Sequence, residues 1–151
     1  MGKVLLSLHV LAAIVFIGPV TVAVSVFPRY ARATSDHSVE VVALLHRISR
    51  VYAVLGLSVP VLGIALAAHL GVLGDAWVVA SLVLTIAAAL VLAVVILPAQ
   101  DRLMGPPAEP SAVATRLATA SRLSTASGLF SLLWAVVVVL MVVRPGSTTG
   151  V

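Results

Sequence analysis

The chain has 151 residues, of which 62% are hydrophobic and only 9% are charged. A soluble domain of this length needs more charge to cover its surface, so the composition excludes that class and predicts a protein embedded in lipid. Nine Lys and Arg stand against five Asp and Glu, and there is no cysteine, which excludes disulfides and thiolate metal sites. Because the basic residues flank apolar runs, as they do at lipid headgroups, we expect no nucleic-acid partner.

Four apolar runs follow one another along the chain, each about as long as the ~20 residues that a helix needs to cross a bilayer. The sequence therefore predicts an all-α, polytopic membrane protein with a single four-helix transmembrane domain. We predict spans over residues 4–27, 51–70, 77–97 and 123–143.

Prolines at and within the runs set the expected helix boundaries. Pro28 and Arg29 follow the first run and are expected to end its helix. This run is too long for the apolar part of a signal peptide and carries its positive charge behind it, so we interpret it as a retained span. Pro60 lies in mid-span and predicts a kink in the second helix, and Pro98 is expected to end the third.

Two long polar connections determine the expected orientation. Residues 28–43 are polar and residues 98–111 are rich in proline, so we expect both to be loops. These connections and the adjoining helix ends hold seven of the nine basic residues, whereas the opposite face has only Lys3 and Arg144. The positive-inside rule places both long loops in the cytoplasm and both termini outside. We expect a multi-pass protein, and the family resemblance given below implies a bacterial cytoplasmic (inner) membrane.

The two predicted hairpins share a short pattern at offsets of 70 and 72 residues. Any helix that leaves into the cytoplasm tends to end in proline and arginine, which would give part of this agreement without duplication. Four agreeing positions at nearly one offset favour an internal repeat, and hence a bundle of two repeated hairpins with its axis along the membrane normal. The matching positions are Pro28 and Pro98, Arg32 and Arg102, Ser49-Arg50 and Ser121-Arg122, and Gly56 and Gly128.

Two histidines are candidate cofactor ligands. His9 lies inside the first run among apolar neighbours, where a polar ring needs a partner, and His69 ends the second run at the same predicted face. Two neutral imidazoles on neighbouring helices are typical ligands of a b-type haem or a metal ion. The alternative is that His9 bonds to a neighbouring helix and His69 is a solvated interfacial residue, since their predicted depths differ by about one turn, or ~5 Å.

A second set of candidates lies on the predicted cytoplasmic face. His46, Arg47 and Arg50 lie within about one turn of each other on the second helix, and Arg116 and Arg122 occupy the corresponding part of the second hairpin. Together these side chains can hold a lipid phosphate or an acidic partner segment. The simpler interpretation is that they set the topology and are solvated among headgroups.

The groups that most membrane enzymes and ion pumps require are missing from the sequence. No Asp or Glu lies within a predicted span, which argues against a proton or cation relay. The chain also has no phosphate-binding loop, zinc-protease signature or Ser/His/Asp arrangement. We therefore predict no catalytic residues and no carboxylate metal site, and the sequence favours a protein that is not an enzyme.

Three segments resemble those of a known family. They are Leu8 to Gly18 (LHVLAAIVFIG), Leu97 to Arg102 (LPAQDR) and Trp134 to Pro145. With them, essentially the whole chain resembles a family of uncharacterised bacterial four-helix predicted integral membrane proteins. More distantly, the first helix resembles the copper-resistance D proteins and the J-type protoporphyrinogen oxidases. In the oxidases a comparable histidine has a haem role, so this resemblance implies haem binding at His9 alone.

Two hypotheses from different classes follow. The first is a small non-catalytic accessory component that binds lipid or packs against other membrane subunits, including copies of itself. It is favoured by the absence of buried charge and by the short loops. The second is a membrane redox protein that binds haem b or a metal ion through His9. A small-solute transporter is the third and weakest hypothesis, because the kink at Pro60 has no counterpart in the second hairpin.

Overall fold

A computed structural model describes residues 1–33, 36–104 and 112–146. All regular structure within these ranges is helical, which confirms the all-α fold. Four helices are long and apolar enough to cross a membrane, as predicted, and we refer to them as spans 1 to 4: Gly2–Arg32, His37–Leu70, Ala76–Leu103 and Val113–Val143.

Three of the four spans contain an irregular segment. Span 1 consists of α1 (Gly2–Ala12), a π-helical segment (Ala13–Ile17) and α2 (Gly18–Arg32). Span 2 consists of α3 (Asp36–Gly56) and α4 (Ser58–Leu70). Span 3 consists of α5 (Ala76–Leu90), a second π-helical segment (Val91–Ile96) and α6 (Leu97–Leu103). Span 4 is the single helix α7 (Ala112–Val143).

Prolines lie close to all three irregular segments. Pro19 and Pro98 each occupy the first turn of the α-helix that follows a π-helical segment. Pro60 follows the interruption at Leu57, which separates α3 from α4 as the predicted kink requires. A proline has no backbone N–H and cannot complete the α-helical hydrogen-bond pattern. Just before it, the pattern therefore changes to π-helical bonding or is interrupted.

The predicted end of the first helix at Pro28 is wrong. Pro28 lies inside α2, which continues to Arg32. The proline leaves the carbonyl of Val24 without its usual helical donor, and the Ser127 hydroxyl of span 4 donates a 2.8 Å hydrogen bond to that carbonyl. A neighbouring helix thus replaces the bond that the proline removes, which is how bundles accommodate proline within a membrane.

The two connections predicted as loops are also shorter than expected. The third helix does not end at Pro98, because that residue lies in the first turn of α6 and the helix continues to Leu103. The region predicted as a polar loop over 28–43 is largely helical, since α3 already begins at Asp36. The middle of the proline-rich connection, residues 105–111, lies outside the described residues.

The spans pack side by side into a four-helix bundle, in which span 1 contacts both span 2 and span 4. In each span, only 17% to 28% of the most apolar stretch of 18 residues is buried inside the bundle. Most of the apolar surface therefore faces outward, as it does in lipid. The main core cluster contains Phe27, Ile96, Leu123 and Phe130. We call the end of the bundle that carries Arg32, Arg47, Arg102 and Arg116 the basic end, and the other the opposite end.

Candidate functional site at the basic end of the bundle

A chain of buried polar side chains joins span 2 to span 3 at the basic end. His46 Nδ1 lies 3.1 Å from Gln100 Oε1, and the Gln100 amide donates a 3.2 Å hydrogen bond to Ser49 Oγ. The Ser49 hydroxyl in turn donates to the Leu45 carbonyl. Ser49 and Gln100 are fully buried, and His46 is 5% exposed. We call His46, Ser49 and Gln100 the polar network; buried polar groups of this kind are stable only when they are paired with one another.

A carboxylate stands at the outer side of this network. Asp101 Oδ1 lies 3.0 Å from His46 Nε2, and the Asp101 side chain is 56% exposed. The contact has the distance of an ion pair, but the ring N–H direction is not aligned with the oxygen as in a hydrogen bond. His46 therefore touches a buried amide with one ring nitrogen and a solvated carboxylate with the other.

A shallow, open surface groove runs along α3 beside this network. Arg47 and Arg50 form its polar end, and both side chains are exposed. Val51, Val54 and Leu55 form its apolar side, with exposed fractions of 48%, 69% and 42%. We call this the Arg47–Arg50 groove. His46 also lines it, so the residue predicted to contact headgroups lies between the groove and the buried interior.

The structure does not bring the two other predicted arginines to this groove. Arg116 is half-buried, and its Nε donates a 3.0 Å hydrogen bond to the carbonyl of Ala31 on span 1. Arg32 Nη2 donates in the other direction, to the carbonyl of Ala120 on span 4. Arg122 is exposed on span 4. Arg116 therefore helps to join spans 1 and 4, while the groove is lined by span 2 alone.

His9 is buried between spans 1 and 2. Its Nδ1 lies 3.0 Å from the carbonyl oxygen of Val59, one residue before Pro60. Gly63 makes room for the ring, because a Cβ atom at that position would lie 3.0 Å from His9 Cε1. The ring thus bonds to a neighbouring helix, which was one of the two interpretations of the sequence.

His69 lies at a different level from His9. Its exposed ring packs near Gly2, where a Cβ atom would lie 3.4 Å from His69 Cδ2. Since His9 packs on Gly63, the two contacts are separated by six residues of span 2, or about 9 Å along the helix axis. The structure therefore does not bring His9 and His69 together around one ligand.

The chain matches the family described as "Predicted integral membrane protein (DUF2269)" over residues 3–145. The chain belongs to this family. No curated protein and no solved structure matches it.

The centre of the DUF2269 bundle contains a small cavity of about 40 Å³, lined by residues from all four spans. Among these are Pro60, Thr85 and Trp134, and the indole Nε1 of Trp134 is buried without a hydrogen-bond partner in the described part of the chain. Within the same part, no three His, Asp or Glu side chains are grouped so that they could hold a metal ion. The basic end therefore offers the most developed polar site.

Proposed function

We propose that this DUF2269 protein is a non-catalytic, lipid-binding component of a larger membrane assembly, and that its Arg47–Arg50 groove holds an anionic phospholipid. The observation that carries the proposal is the composition of the groove. Two exposed guanidinium groups lie about one turn apart, without an ion pair among the described residues, next to an apolar strip of the same helix.

The two parts of the groove match the two parts of a phospholipid. Arginine donates to phosphate oxygens in a planar, two-pronged geometry, which favours it over lysine where phosphate is bound. Val51, Val54 and Leu55 offer an apolar surface along which an acyl chain can lie. By the positive-inside rule, this end of the bundle belongs to the cytoplasmic leaflet of the bacterial inner membrane, where anionic lipid attracts basic residues.

A partner subunit or a second copy of the chain is the other component of this proposal. Four helices enclose little interior space, as the cavity of about 40 Å³ illustrates, so a site for any larger molecule needs a surface shared with another subunit. Crosslinking in native membranes tests this part. A discrete dimer or a reproducible larger product is expected, and a product that stays monomeric at all crosslinker concentrations would argue against it.

The lipid proposal is tested by extracting the purified protein and quantifying the lipids it retains. Arg47→Gln with Arg50→Gln should lower the retained phosphatidylglycerol while leaving phosphatidylethanolamine unchanged. Each basic residue contributes about 1 kcal/mol near an anionic surface, so the double variant should bind roughly 30-fold more weakly. Arg122→Gln is the matched control, because it removes an exposed charge of the same end outside the groove. Equal retention by the double variant and the control would contradict the proposal.

A second candidate function, haem or metal binding by His9, is supported by one contact. A ligating histidine usually donates its other ring N–H to a backbone carbonyl or a carboxylate, and His9 Nδ1 faces the Val59 carbonyl. When Nδ1 donates to that carbonyl, the lone pair of Nε2 remains available to bind an iron or another metal ion. His9 thus fits a single axial ligand, and His69 does not supply the second, because their contacts on span 2 lie about 9 Å apart along the helix axis.

An absorbance spectrum separates the two candidates. Protein expressed with haem available and gently solubilised is measured oxidised and then reduced with dithionite, beside His9→Ala. A Soret band that sharpens on reduction and is lost in the variant would establish the haem function. A flat spectrum from folded protein would remove it and leave the lipid-binding proposal.

A further inference from the structure

The contacts of His46 favour a ring that carries a proton on Nδ1 and a positive charge. The Ser49 hydroxyl donates to the Leu45 carbonyl, so its oxygen is free to accept from the Gln100 amide group. That bond turns Gln100 Oε1 toward His46 Nδ1, at 3.1 Å. An amide oxygen can only accept, so Nδ1 must be the donor and carry a proton.

The second ring nitrogen also faces an acceptor. His46 Nε2 lies 3.0 Å from Oδ1 of the largely exposed Asp101 carboxylate. A neutral ring with its proton on Nδ1 would place the Nε2 lone pair against this carboxylate, which is repulsive. The imidazolium form carries an N–H toward Gln100 Oε1 and a positive charge beside the Asp101 carboxylate, so both contacts favour it.

From this geometry we infer that His46 and Asp101 form a proton-controlled charge pair that regulates anionic lipid binding in the adjoining Arg47–Arg50 groove. The inference rests on the proposed lipid function. His46 itself lines the groove, so its charge acts at the place where the phosphate would lie. With His46 neutral, Asp101 offsets one of the two arginine charges. With His46 protonated, the pair is neutral and both arginine charges remain to attract the lipid.

Other charged and titratable groups lie at the basic end of the bundle. Arg47 and Arg50 of its own helix define the groove, and Asp101 comes from α6. Arg32 of α2 and Arg116 of α7 donate to the backbone carbonyls of the opposite span, as described above. Tyr30 of α2 packs against the core cluster. Histidine is the side chain type whose charge changes between pH 5 and 8. His46 is a histidine that lines the groove.

The first test reads the protons on His46 without any lipid. In a variant with His9→Gln, His37→Gln and His69→Gln, His46 is the single histidine, and its ¹⁵N imidazole shifts report which ring nitrogens carry a proton. We expect protons on both nitrogens at pH 6 and on Nδ1 alone at pH 8. A ring that lacks the Nδ1 proton at both pH values would overturn the inference.

The second test measures binding of phosphatidylglycerol, whose phosphodiester keeps its charge between pH 6 and 8, to the otherwise unaltered protein in nanodiscs of phosphatidylcholine. One additional effective charge should make binding about fivefold tighter at pH 6 than at pH 8. His46→Gln should bind at the weaker level at both pH values, and Asp101→Asn should reach at least the tighter level already at pH 8. Binding that is equal at pH 6 and 8, or a pH response that survives in His46→Gln, would overturn the inference.

The two failures can be told apart. If the protein shows no preference for phosphatidylglycerol over phosphatidylcholine at either pH, and Arg47→Gln with Arg50→Gln changes nothing, the lipid-binding proposal itself fails. If the preference exists, depends on both arginines and is the same at both pH values, the proposal stands and only the regulation by His46 fails.

Discussion

The two ends of the bundle are held together in different ways. Toward the basic end, side chains make several hydrogen bonds between spans. His46 pairs with Gln100, and Ser127 donates to the Val24 carbonyl. Arg32 and Arg116 donate to backbone carbonyls of the opposite span. The opposite end has His9 on Val59 and a small cluster of Ala67, Trp77 and Val78, where Arg144 lies over the Trp77 ring. Within the described residues, twelve buried residues form the main core cluster and three form the cluster of the opposite end.

This difference indicates at which end the helices are held together more firmly. Helices in lipid gain little from apolar burial against each other, so close packing and interhelical hydrogen bonds decide how firmly they associate. The basic end has both, and it is also where the charged groove lies. The opposite end packs fewer residues, and we expect it to open first when the bundle is destabilised.

The largest expected effect comes from breaking the polar network. Gln100→Leu removes the acceptor of His46 Nδ1 and the donor to Ser49 Oγ. The Ser49 hydroxyl keeps its bond to the Leu45 carbonyl, so the buried His46 Nδ1 is the group left unpaired. We expect a loss of about 2–3 kcal/mol in the free energy of unfolding, measured by thermal unfolding in mild detergent. Arg102→Gln, an exposed change on the same helix, should be nearly neutral. A similar loss in both variants would mean that the network contributes nothing specific.

The bond from Ser127 to the Val24 carbonyl is the next strongest test. Ser127→Ala leaves this carbonyl, which Pro28 already deprives of a helical donor, without any partner. We expect a loss of about 1 kcal/mol, because hydrogen bonds between membrane helices contribute on that order. Ser124→Ala, an exposed change on the same helix, serves as the control. If both serine variants unfold at the same temperature, this account of the buried Pro28 is wrong.

At the opposite end, Gly63 tests the packing of His9. Gly63→Ala introduces a Cβ atom 3.0 Å from His9 Cε1 and should displace the ring from the Val59 carbonyl. Gly128→Ala meets no atom within 4 Å and should gain the roughly 0.5–1 kcal/mol by which alanine exceeds glycine in a helix. Stability of the two variants should therefore differ by about 1 kcal/mol. Equal gains would show that His9 is not held by this contact.

The smallest effect is expected at Trp134. Its indole N–H is buried without a partner in the described part of the chain, so Trp134→Phe removes an unsatisfied donor and should change stability by less than about 0.5 kcal/mol. Trp77→Phe is the comparison, since Trp77 Nε1 donates a 3.1 Å hydrogen bond to Asp75 Oδ2. Trp77→Phe should lose about 1 kcal/mol. A larger loss at Trp134 would indicate that its N–H is bonded.

The apolar runs were sufficient to predict four membrane-spanning helices, because ~20 consecutive apolar residues determine a span regardless of what surrounds it. The helix ends near Pro28 and Pro98 were predicted wrongly, because the effect of a proline on a helix does depend on what surrounds it. Whether proline ends a helix depends on a donor from elsewhere, and the hydroxyl of Ser127, about 100 positions away in the chain, could not be assigned to Val24 from the sequence.

The candidate site was predicted in part for a similar reason. Basic residues next to a span indicate headgroup contact from local sequence, which led to Arg47 and Arg50. Gln100 and Asp101 were missed as site residues because the third helix was expected to end at Pro98. Their polar character at a helix end, at the same level as His46, was the available signal once that helix is extended to Leu103. The pairing of His46 with Gln100 depends on how spans 2 and 3 pack, which no local pattern shows.

We propose that the basic end holds an anionic phospholipid in the Arg47–Arg50 groove. Native mass spectrometry of the protein titrated with phosphatidylglycerol tests it most directly, by comparing the unaltered chain with Arg47→Gln/Arg50→Gln and with Arg144→Gln at the opposite end. We predict one tightly retained lipid that is lost in the double variant and kept in Arg144→Gln. The same number of retained lipids in all three proteins would contradict the claim.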